Sequence, residues 1–202
     1  MFKEIKMYVR RLKKPNRYTI SVVNNGDYSS YNVEKSSGGN GFFPSDLEQG
    51  AKIYLLVNSN QLGTIQYIGQ TIQSIRKRFY PGIRYQKYLW AKESGTYSLF
   101  IWDVRNIIKC GADLDCLESE LVFATRVNQG VWPVKQTSIK FRWFRGNVTK
   151  GFGFEAPRVA IDMMNDIYSF LLSNKHLTPE DIKIVSDQKT RMQQLLNSVV
   201  PT

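Results

Sequence analysis

The sequence predicts an α+β fold in which a small three-stranded antiparallel sheet is flanked by helices. Two runs rich in β-branched and aromatic residues, KIYLLVN at 52–58 and TIQYIGQT at 64–71, are separated by a short turn. Such a pair predicts a β-hairpin, with Gly63 at a positive φ in the turn. A third run of this kind, YSLFIWDV at 97–104, predicts the third strand.

Helical spacing predicts the two helices of this core. Ile72, Ile75 and Phe79 recur at the i, i+3, i+7 spacing of an amphipathic helix, which we expect to end at Pro81 and the glycine after it. A second apolar face, LDCLESELVFATR, predicts a helix that runs to about Arg126.

The flanking segments divide the chain into an N-terminal arm at 1–50, a core at 51–150 and a C-terminal helical extension at 151–202. Within the arm, a basic strand or short helix and the strand-like YTISVV precede 24–50, whose NNGDYSS and SSGGNG favour a loop or mobile arm. Residues 128–150 are predicted to be strand and loop.

The C-terminal extension carries an apolar stripe that is typical of a packed helix. Ile161, Met164 and Tyr168 lie on that stripe, with Leu171 and Leu172. Thr178 is in the position of an N-cap and Pro179 in the first position of a further helix, which we expect to run to about Val199.

The composition indicates a globular protein that meets a polyanion. The net charge is +11 and the hydrophobic fraction is 42%. We expect a soluble, cytoplasmic protein with no membrane partner, because no apolar run approaches the roughly 20 residues of a membrane span and the N-terminus lacks a signal-peptide core. The two cysteines and the single His176 do not provide a zinc site or a histidine-based nucleophile.

Basic residues and aromatic residues are interleaved along the chain, as nucleic-acid-binding surfaces require. Cations contact phosphates, and flat rings contact sugars and bases. The residues that we expect to contact nucleic acid are Arg10, Arg11, Lys13, Lys14, Arg76, Lys77, Tyr80, Arg84, Lys87 and Gln136.

The order and spacing of four residues add a more specific indication. Tyr54 lies on the first strand of the predicted hairpin, and Tyr67 begins Tyr-Ile-Gly on the second. Arg78 follows Tyr67 by eleven residues and Arg76 by nine, and Glu118 opens LESELVFATR on the second helix. Over residues 51–137 this pattern resembles the GIY-YIG nuclease domain, a three-stranded antiparallel sheet flanked by helices.

The resemblance implies a role for each of these residues. Tyr67 would be the general base, with Tyr54 and Arg78 beside it. Arg78, which the spacing favours while Arg76 stays the alternative, would stabilise the charged phosphate. Glu118 would hold one Mg²⁺ (or Mn²⁺), with water and DNA oxygens completing the coordination. Glu120 would point about 200° away from Glu118 on a helix, so only one of the two can face the site.

Three departures from the family pattern stand out. Lys52 replaces the first glycine of the first tripeptide, and Gly82 stands where many members have a histidine or tyrosine, with Tyr80 close by. The family also has an asparagine after the glutamate helix, and the sequence leaves Asn128 and Gln136 open for that place.

The resemblance implies a DNA endonuclease, and the compact basic chain is most similar to a Type II restriction enzyme. Such an enzyme would cut double-stranded DNA, with a homodimer matching a two-fold site. The apolar stripe of the C-terminal helices would either form that dimer interface or pack on the sheet. A structure-specific repair, recombination or phage nuclease and a catalytically inactive nucleic-acid-binding module remain the alternatives.

Overall fold

The computed structural model describes residues 12–59, 63–136, 148–173 and 177–199 of the chain. It is an α+β protein, as predicted, but its antiparallel sheet has five strands rather than three. The strands are β1 (Asn16–Asn24), β2 (Ser29–Lys35), β3 (Lys52–Asn58), β4 (Ile65–Thr71) and β5 (Gly95–Asp103). Their order in the sheet is β2-β1-β5-β3-β4.

The three predicted strands are present, and the additional pair joins them at β5. Strand β1 pairs with β5 on the side away from β3, so the YTISVV segment belongs to the same sheet as the predicted core. The prediction of a loop or mobile arm over residues 24–50 is wrong for β2, which pairs along β1. In β2 only Ser29 and Val33 are fully buried, and such a short, polar edge strand has a weak sequence pattern.

Helix α1 (Pro44–Leu47) is short, and α2 (Ile75–Arg84) differs from the predicted helix at both ends. The hydroxyl of Ser74 caps α2 by accepting from the Lys77 amide at 3.3 Å, which leaves Ile72 outside the helix and exposed. Pro81 lies inside α2 rather than ending it. Burial of Phe79 and Ile83 holds the last turn against the sheet.

The two faces of the sheet are covered by different helices. Helix α2 packs on one face, over a core that includes Ile20, Leu56 and Leu99. The other face carries α3 (Gly111–Gln129), against which α4 (Phe152–Leu172) packs, and α5 (Pro179–Val199) packs on α4. Both layers are therefore needed to bury the sheet.

The C-terminal stripe is used inside the chain. Ile161, Met164, Tyr168 and Leu171 are buried in the core formed with α3 and the sheet, while Leu172 is half-buried against it. Of the two uses that the sequence left open, packing within the fold is therefore the one that these residues serve.

The predictions for one turn and one helix cap are confirmed, unlike the prediction that α2 ends at Pro81. Gly63 has a φ of 80°, as expected for the turn of the hairpin. Thr178 accepts a hydrogen bond from the Asp181 amide at 3.2 Å, which is the predicted N-cap, and Pro179 is the first helical residue.

The segment after α3 has no strand where the structure describes it. Residues 131–136 are irregular, and residues 137–147 of the stretch predicted to be strand and loop lie outside the described residues, as do Arg10, Arg11 and His176. Cys110 and Cys116 are not joined by a disulfide; Cys110 is exposed and Cys116 is buried. Within the described ranges, none of the helices combines the length and apolar character needed to cross a membrane.

Candidate functional site

Tyr54 and Tyr67 lie on adjacent strands and point to the same face of the sheet. Tyr54 pairs with Gly69 and Leu56 pairs with Tyr67, so the two tyrosines are diagonal neighbours under α2. Their ring centroids are 6.1 Å apart. Tyr54 is fully buried and Tyr67 is half-buried, so only Tyr67 is accessible from solvent.

Gly69 provides the space that Tyr54 occupies. A Cβ at position 69 would lie 2.5 Å from both the hydroxyl oxygen and the ζ carbon of Tyr54. The glycine of the second tripeptide therefore has a steric reason: the first tyrosine lies across the backbone of β4 at that point.

Arg78, on α2, contacts the first of these tyrosines. Its Nε donates a hydrogen bond to the Tyr54 hydroxyl at 3.3 Å. Among the described residues the ion pairs are formed by Lys14, Arg105 and Lys135, and none involves Arg78. The guanidinium is thus held by phenols rather than by a carboxylate.

Tyr88 is a fourth member of the cluster that the sequence interpretation missed. Its hydroxyl donates to the Arg78 carbonyl at 3.3 Å, and the Arg78 guanidinium lies 5.5 Å from the centre of its ring. A Cβ on Gly82 would lie 2.0 Å from the Tyr88 ring. The ring of Tyr88 therefore fills the place that a side chain at position 82 would take, whereas Tyr80 is exposed and points away.

Glu118 approaches this cluster from the opposite layer. It lies half-buried on α3, close enough to Tyr67 for its charge to raise the pKa of the phenol. One turn earlier, Asp115 accepts a hydrogen bond from the side chain of Gln70 on β4. The site therefore straddles β4, with two tyrosines and an arginine on one side and the carboxylate on the other.

Glu120 occupies a different environment from Glu118. It is half-buried on α3, and burial raises the pKa of its carboxyl. Its charge acts on the buried Cys116 thiol rather than on Tyr67. This difference agrees with the expectation that only one of the two glutamates faces the cluster.

Asn128 and Gln136, the two candidates to complete the site, lie in different places. Asn128 is buried and its Nδ2 donates to the Gln188 carbonyl on α5 at 2.8 Å. Gln136 lies at the outer edge of β4, where its Oε1 accepts from the Ile68 amide at 3.1 Å. Of the two candidates, Gln136 is therefore the one that binds the strand beside Tyr67, through the backbone of the next residue.

The protonation states follow from burial. Burial raises the pKa of Tyr67 to about 12, with Tyr88 and Glu118 adding to the shift and Arg78 opposing it. Burial also raises the pKa of Tyr54 well above its ordinary value. For Arg78, burial acts to lower the pKa, but the surrounding tyrosine oxygens raise it overall, so the guanidinium stays charged.

A divalent ion would find an oxygen-only environment here. No group of three acidic, histidine or cysteine side chains is close enough to hold a metal among the residues that the structure describes. One carboxylate, Glu118, beside the Tyr67 phenol fits a hard ion that keeps most of its waters, which is how Mg²⁺ commonly binds.

The remaining residues expected to contact nucleic acid lie on the surface where they are described. Lys77, Lys87 and Lys13 are exposed, and Lys14 forms an ion pair with Asp166 on α4. Exposed residues also form a row on α2, namely Arg76, Tyr80 and Arg84.

Lys52, which replaces the first glycine of the tripeptide, is a buried structural residue. Its Nζ donates to the Glu48 carbonyl at 2.7 Å and to the Gly50 carbonyl at 3.3 Å, and burial lowers its pKa. It lies at the other end of β3 from the hairpin turn and holds the loop before the strand.

Comparisons with known proteins give no match for the chain among protein-family models, curated proteins or solved structures. The grounds for a function are therefore the residues themselves and the geometry that brings them together.

Proposed function

We propose that this protein is a metal-dependent DNA endonuclease that hydrolyses phosphodiester bonds at the Tyr54–Tyr67–Arg78–Glu118 cluster. The observation that carries the proposal is the contact of Arg78 with Tyr54, 3.3 Å from Nε to the hydroxyl, beside a second tyrosine and a carboxylate. These residues are far apart in the sequence, yet the fold collects them at one edge of the sheet.

Arg78 would stabilise the charge of the phosphate. A guanidinium whose partners are neutral phenols does not lose its charge to a carboxylate, so its remaining N–H groups can bind phosphate oxygens. Tyr54 and Tyr88 fix the orientation of Arg78, and a fixed donor is worth more in the transition state than a mobile one.

Tyr67 would remove the proton from the attacking water, because it is the more accessible of the two strand tyrosines. Its raised pKa means that Arg78 alone does not activate it. A divalent ion held by Glu118 would supply positive charge that lowers the pKa of nearby groups and neutralises the phosphate.

For the substrate, we propose double-stranded DNA cut at specific sequences by a homodimer, in the manner of a Type II restriction enzyme. The net charge of +11 and the exposed cations of α2 support a polyanionic substrate. The dimer is proposed from the two-fold symmetry of such sites.

The test is cleavage of unmethylated plasmid and phage DNA in Mg²⁺, with an EDTA control and with Mn²⁺ in parallel. Glu118→Gln should lower the cleavage rate by about 100-fold or more, because the metal would lose its protein ligand. Glu120→Gln, the matched control on the same helix, should cut like the wild type because this carboxyl lies away from Tyr67.

Each outcome separates the alternatives. Discrete bands that require both Mg²⁺ and Glu118 would support the proposed restriction activity. Cleavage confined to flaps and junctions would keep the nuclease and replace the restriction role with repair or recombination. Tight binding without cleavage of any of these DNAs would contradict the enzyme proposal in favour of a binding module.

A further inference from the structure

A row of cations and rings runs along the flank of α2 that faces away from Arg78. Arg76, Tyr80 and Arg84 are spaced at i, i+4 and i+8, so they lie on one face of the helix. Residue 80 is rotated by about 200° from residue 78 on a helix. The helix therefore carries the candidate site on one flank and this row on the other.

The β1–β2 hairpin meets the row with two further tyrosines. The Arg84 guanidinium lies 5.3 Å from the centre of the Tyr28 ring and 6.0 Å from that of Tyr80. Tyr31 lies on β2, which packs against α2, and the charge of Arg76 partly offsets the rise that burial causes in the pKa of Tyr31. We call Tyr28, Tyr31, Arg76, Tyr80 and Arg84 the seam ladder.

The hairpin is held firmly against the rest of the protein. The Ser29 hydroxyl donates to the Ala91 carbonyl at 2.7 Å, and the Gln86 amide donates to the Gly26 carbonyl at 2.7 Å. Among the described residues, Gln86 is the non-glycine residue with a positive φ, which is 50°. The ladder is therefore a preorganised surface rather than a set of independent side chains.

The charges of the ladder are not neutralised inside the protein. Arg76 and Arg84 are exposed, and the ion pairs found within the described ranges include neither of them. Tyr28 and Tyr80 expose 45% and 52% of their surface. An exposed pair of arginines, one of them held against two tyrosine rings, fits an extended polyanion.

We propose that the seam ladder binds the sugar-phosphate backbone of duplex DNA on the flank of α2 opposite Arg78. The proposal takes its partner from the proposed function. Eight residues of helix separate the two arginines by about 12 Å, which spans three to four base pairs of duplex at roughly 3.4 Å each.

Backbone binding is favoured over base stacking by the position of Arg84. Its guanidinium already lies against both Tyr28 and Tyr80, so these rings orient a cation instead of offering free faces to unpaired bases. The β1–β2 hairpin is then a DNA-contacting element, and Tyr28 acts through Arg84.

The test measures duplex binding by fluorescence anisotropy in EDTA at several salt concentrations, using the full chain with Glu118→Gln so that nothing is cut. Adding Arg76→Gln and Arg84→Gln together should weaken binding at least tenfold at about 0.1 M salt. It should also reduce the slope of the logarithm of the binding constant against the logarithm of the salt concentration by about two. Tyr28→Ala should weaken binding as well, and Tyr28→Phe should not, because phenylalanine keeps the ring under Arg84.

The matched control removes two exposed cations from α5, Lys183→Gln with Arg191→Gln, and should change the slope less than the ladder pair does. An unchanged slope in the ladder pair, with folding confirmed by thermal melting, would overturn the proposal. So would preferential single-strand binding that Tyr28→Ala abolishes and the arginine changes leave intact. Since binding is measured without metal, a chain that never cuts DNA could still support the ladder, and a chain that cuts normally could still refute it.

Discussion

Two arginines outside the sheet, Arg105 just after β5 and Arg78 on α2, show how different surroundings give the same side chain different uses. Arg105 binds both oxygens of Asp103 through Nε at 3.0 Å and reaches Glu48 at 2.9 Å. Arg78 contacts the hydroxyl of Tyr54 and the ring of Tyr88. Two carboxylates neutralise the first guanidinium, whereas neutral phenols leave the second with its charge.

The carboxylates of Asp103 and Glu48 hold Arg105 in a structural ion-pair network. Burial acts to raise the pKa of Asp103, but hydrogen bonds from Arg105 lower it overall, so this pair is already ionised and satisfied. The phenols around Arg78 stay neutral because burial raises the pKa of both Tyr54 and Tyr67. The comparison teaches that a cation becomes available to an anionic ligand when its neighbours orient it without neutralising it.

The largest expected effect would break the comparison directly. Arg78→Ala should lower the rate of DNA cleavage by about 100- to 1,000-fold, the usual loss when one donor to a developing charge is removed. Arg105→Ala should leave cleavage nearly unchanged and cost at most about 1 kcal/mol of stability, because its ion pairs are partly exposed. Cleavage kinetics and urea unfolding of both variants check this. Equal losses of activity would show that Arg78 has no special role.

The second prediction concerns pH. Because the pKa of Tyr67 is about 12, the deprotonated fraction should rise about tenfold with each pH unit through the neutral range. If Tyr67 is the general base, the single-turnover cleavage rate should rise with the same slope until the pH reaches the pKa that Tyr67 has with the metal bound.

Tyr67→Phe should remove this pH dependence together with most of the activity. Asp103, whose pKa is lowered, does not titrate in that range, so Asp103→Asn should keep the wild-type slope. A rate that is flat between about pH 6 and about pH 9 in the wild type would contradict the base assignment.

The third prediction tests the space beneath Tyr54. Gly69→Ala puts a methyl group 2.5 Å from the Tyr54 hydroxyl, so the ring must move and the contact with Arg78 must loosen. We expect a loss of about 1–3 kcal/mol in stability, as for an overpacked core, and a cleavage rate roughly tenfold lower.

Gly153 on α4 is the control for that change, because a Cβ there meets nothing within 4 Å. Gly153→Ala should be neutral or stabilise the helix by about 0.5–1 kcal/mol. Wild-type cleavage by Gly69→Ala would mean that the position of Tyr54 does not matter.

The smallest expected effect would sharpen the role of Tyr88. Tyr88→Phe keeps the ring against Gly82 and removes the hydrogen bond to the Arg78 carbonyl, so we expect a loss of about fivefold in cleavage, equivalent to about 1 kcal/mol. Tyr97→Phe removes a comparable bond, from its hydroxyl to the Trp90 carbonyl at 3.1 Å, away from Arg78. Both variants should lose similar stability by thermal melting, and the activity should fall in Tyr88→Phe alone.

Sequence patterns located the strands and helices that have strong periodicity. Strand β3 and the second half of β5 are continuous apolar runs because they are buried on both faces, β4 is rich in isoleucine and tyrosine, and α3 and α4 carry apolar stripes. The weak pattern of β2 has a different cause. It is an edge strand whose alternate residues include Ser30 and Asn32, so its place depends on pairing with β1 rather than on its own composition.

For the candidate site too, the sequence predicts some members and only the structure shows the others. Motif spacing selects Tyr54, Tyr67, Arg78 and Glu118 and favours Arg78 over Arg76. It does not find Tyr88, because Tyr88 lies six positions after Gly82 and no helical or strand period joins the two positions. It also left Asn128 and Gln136 equivalent.

The amino-acid sequence alone determined the charge of the protein, its main strands and helices, and a small set of candidate residues, because these depend on composition and local periodicity. Tertiary structure decided which side chains share a site. It placed Tyr88 over Gly82, Asn128 against α5 and the β1–β2 hairpin beside α2. Contacts between residues distant in the chain depend on how whole layers pack, and that packing is not written in any local pattern.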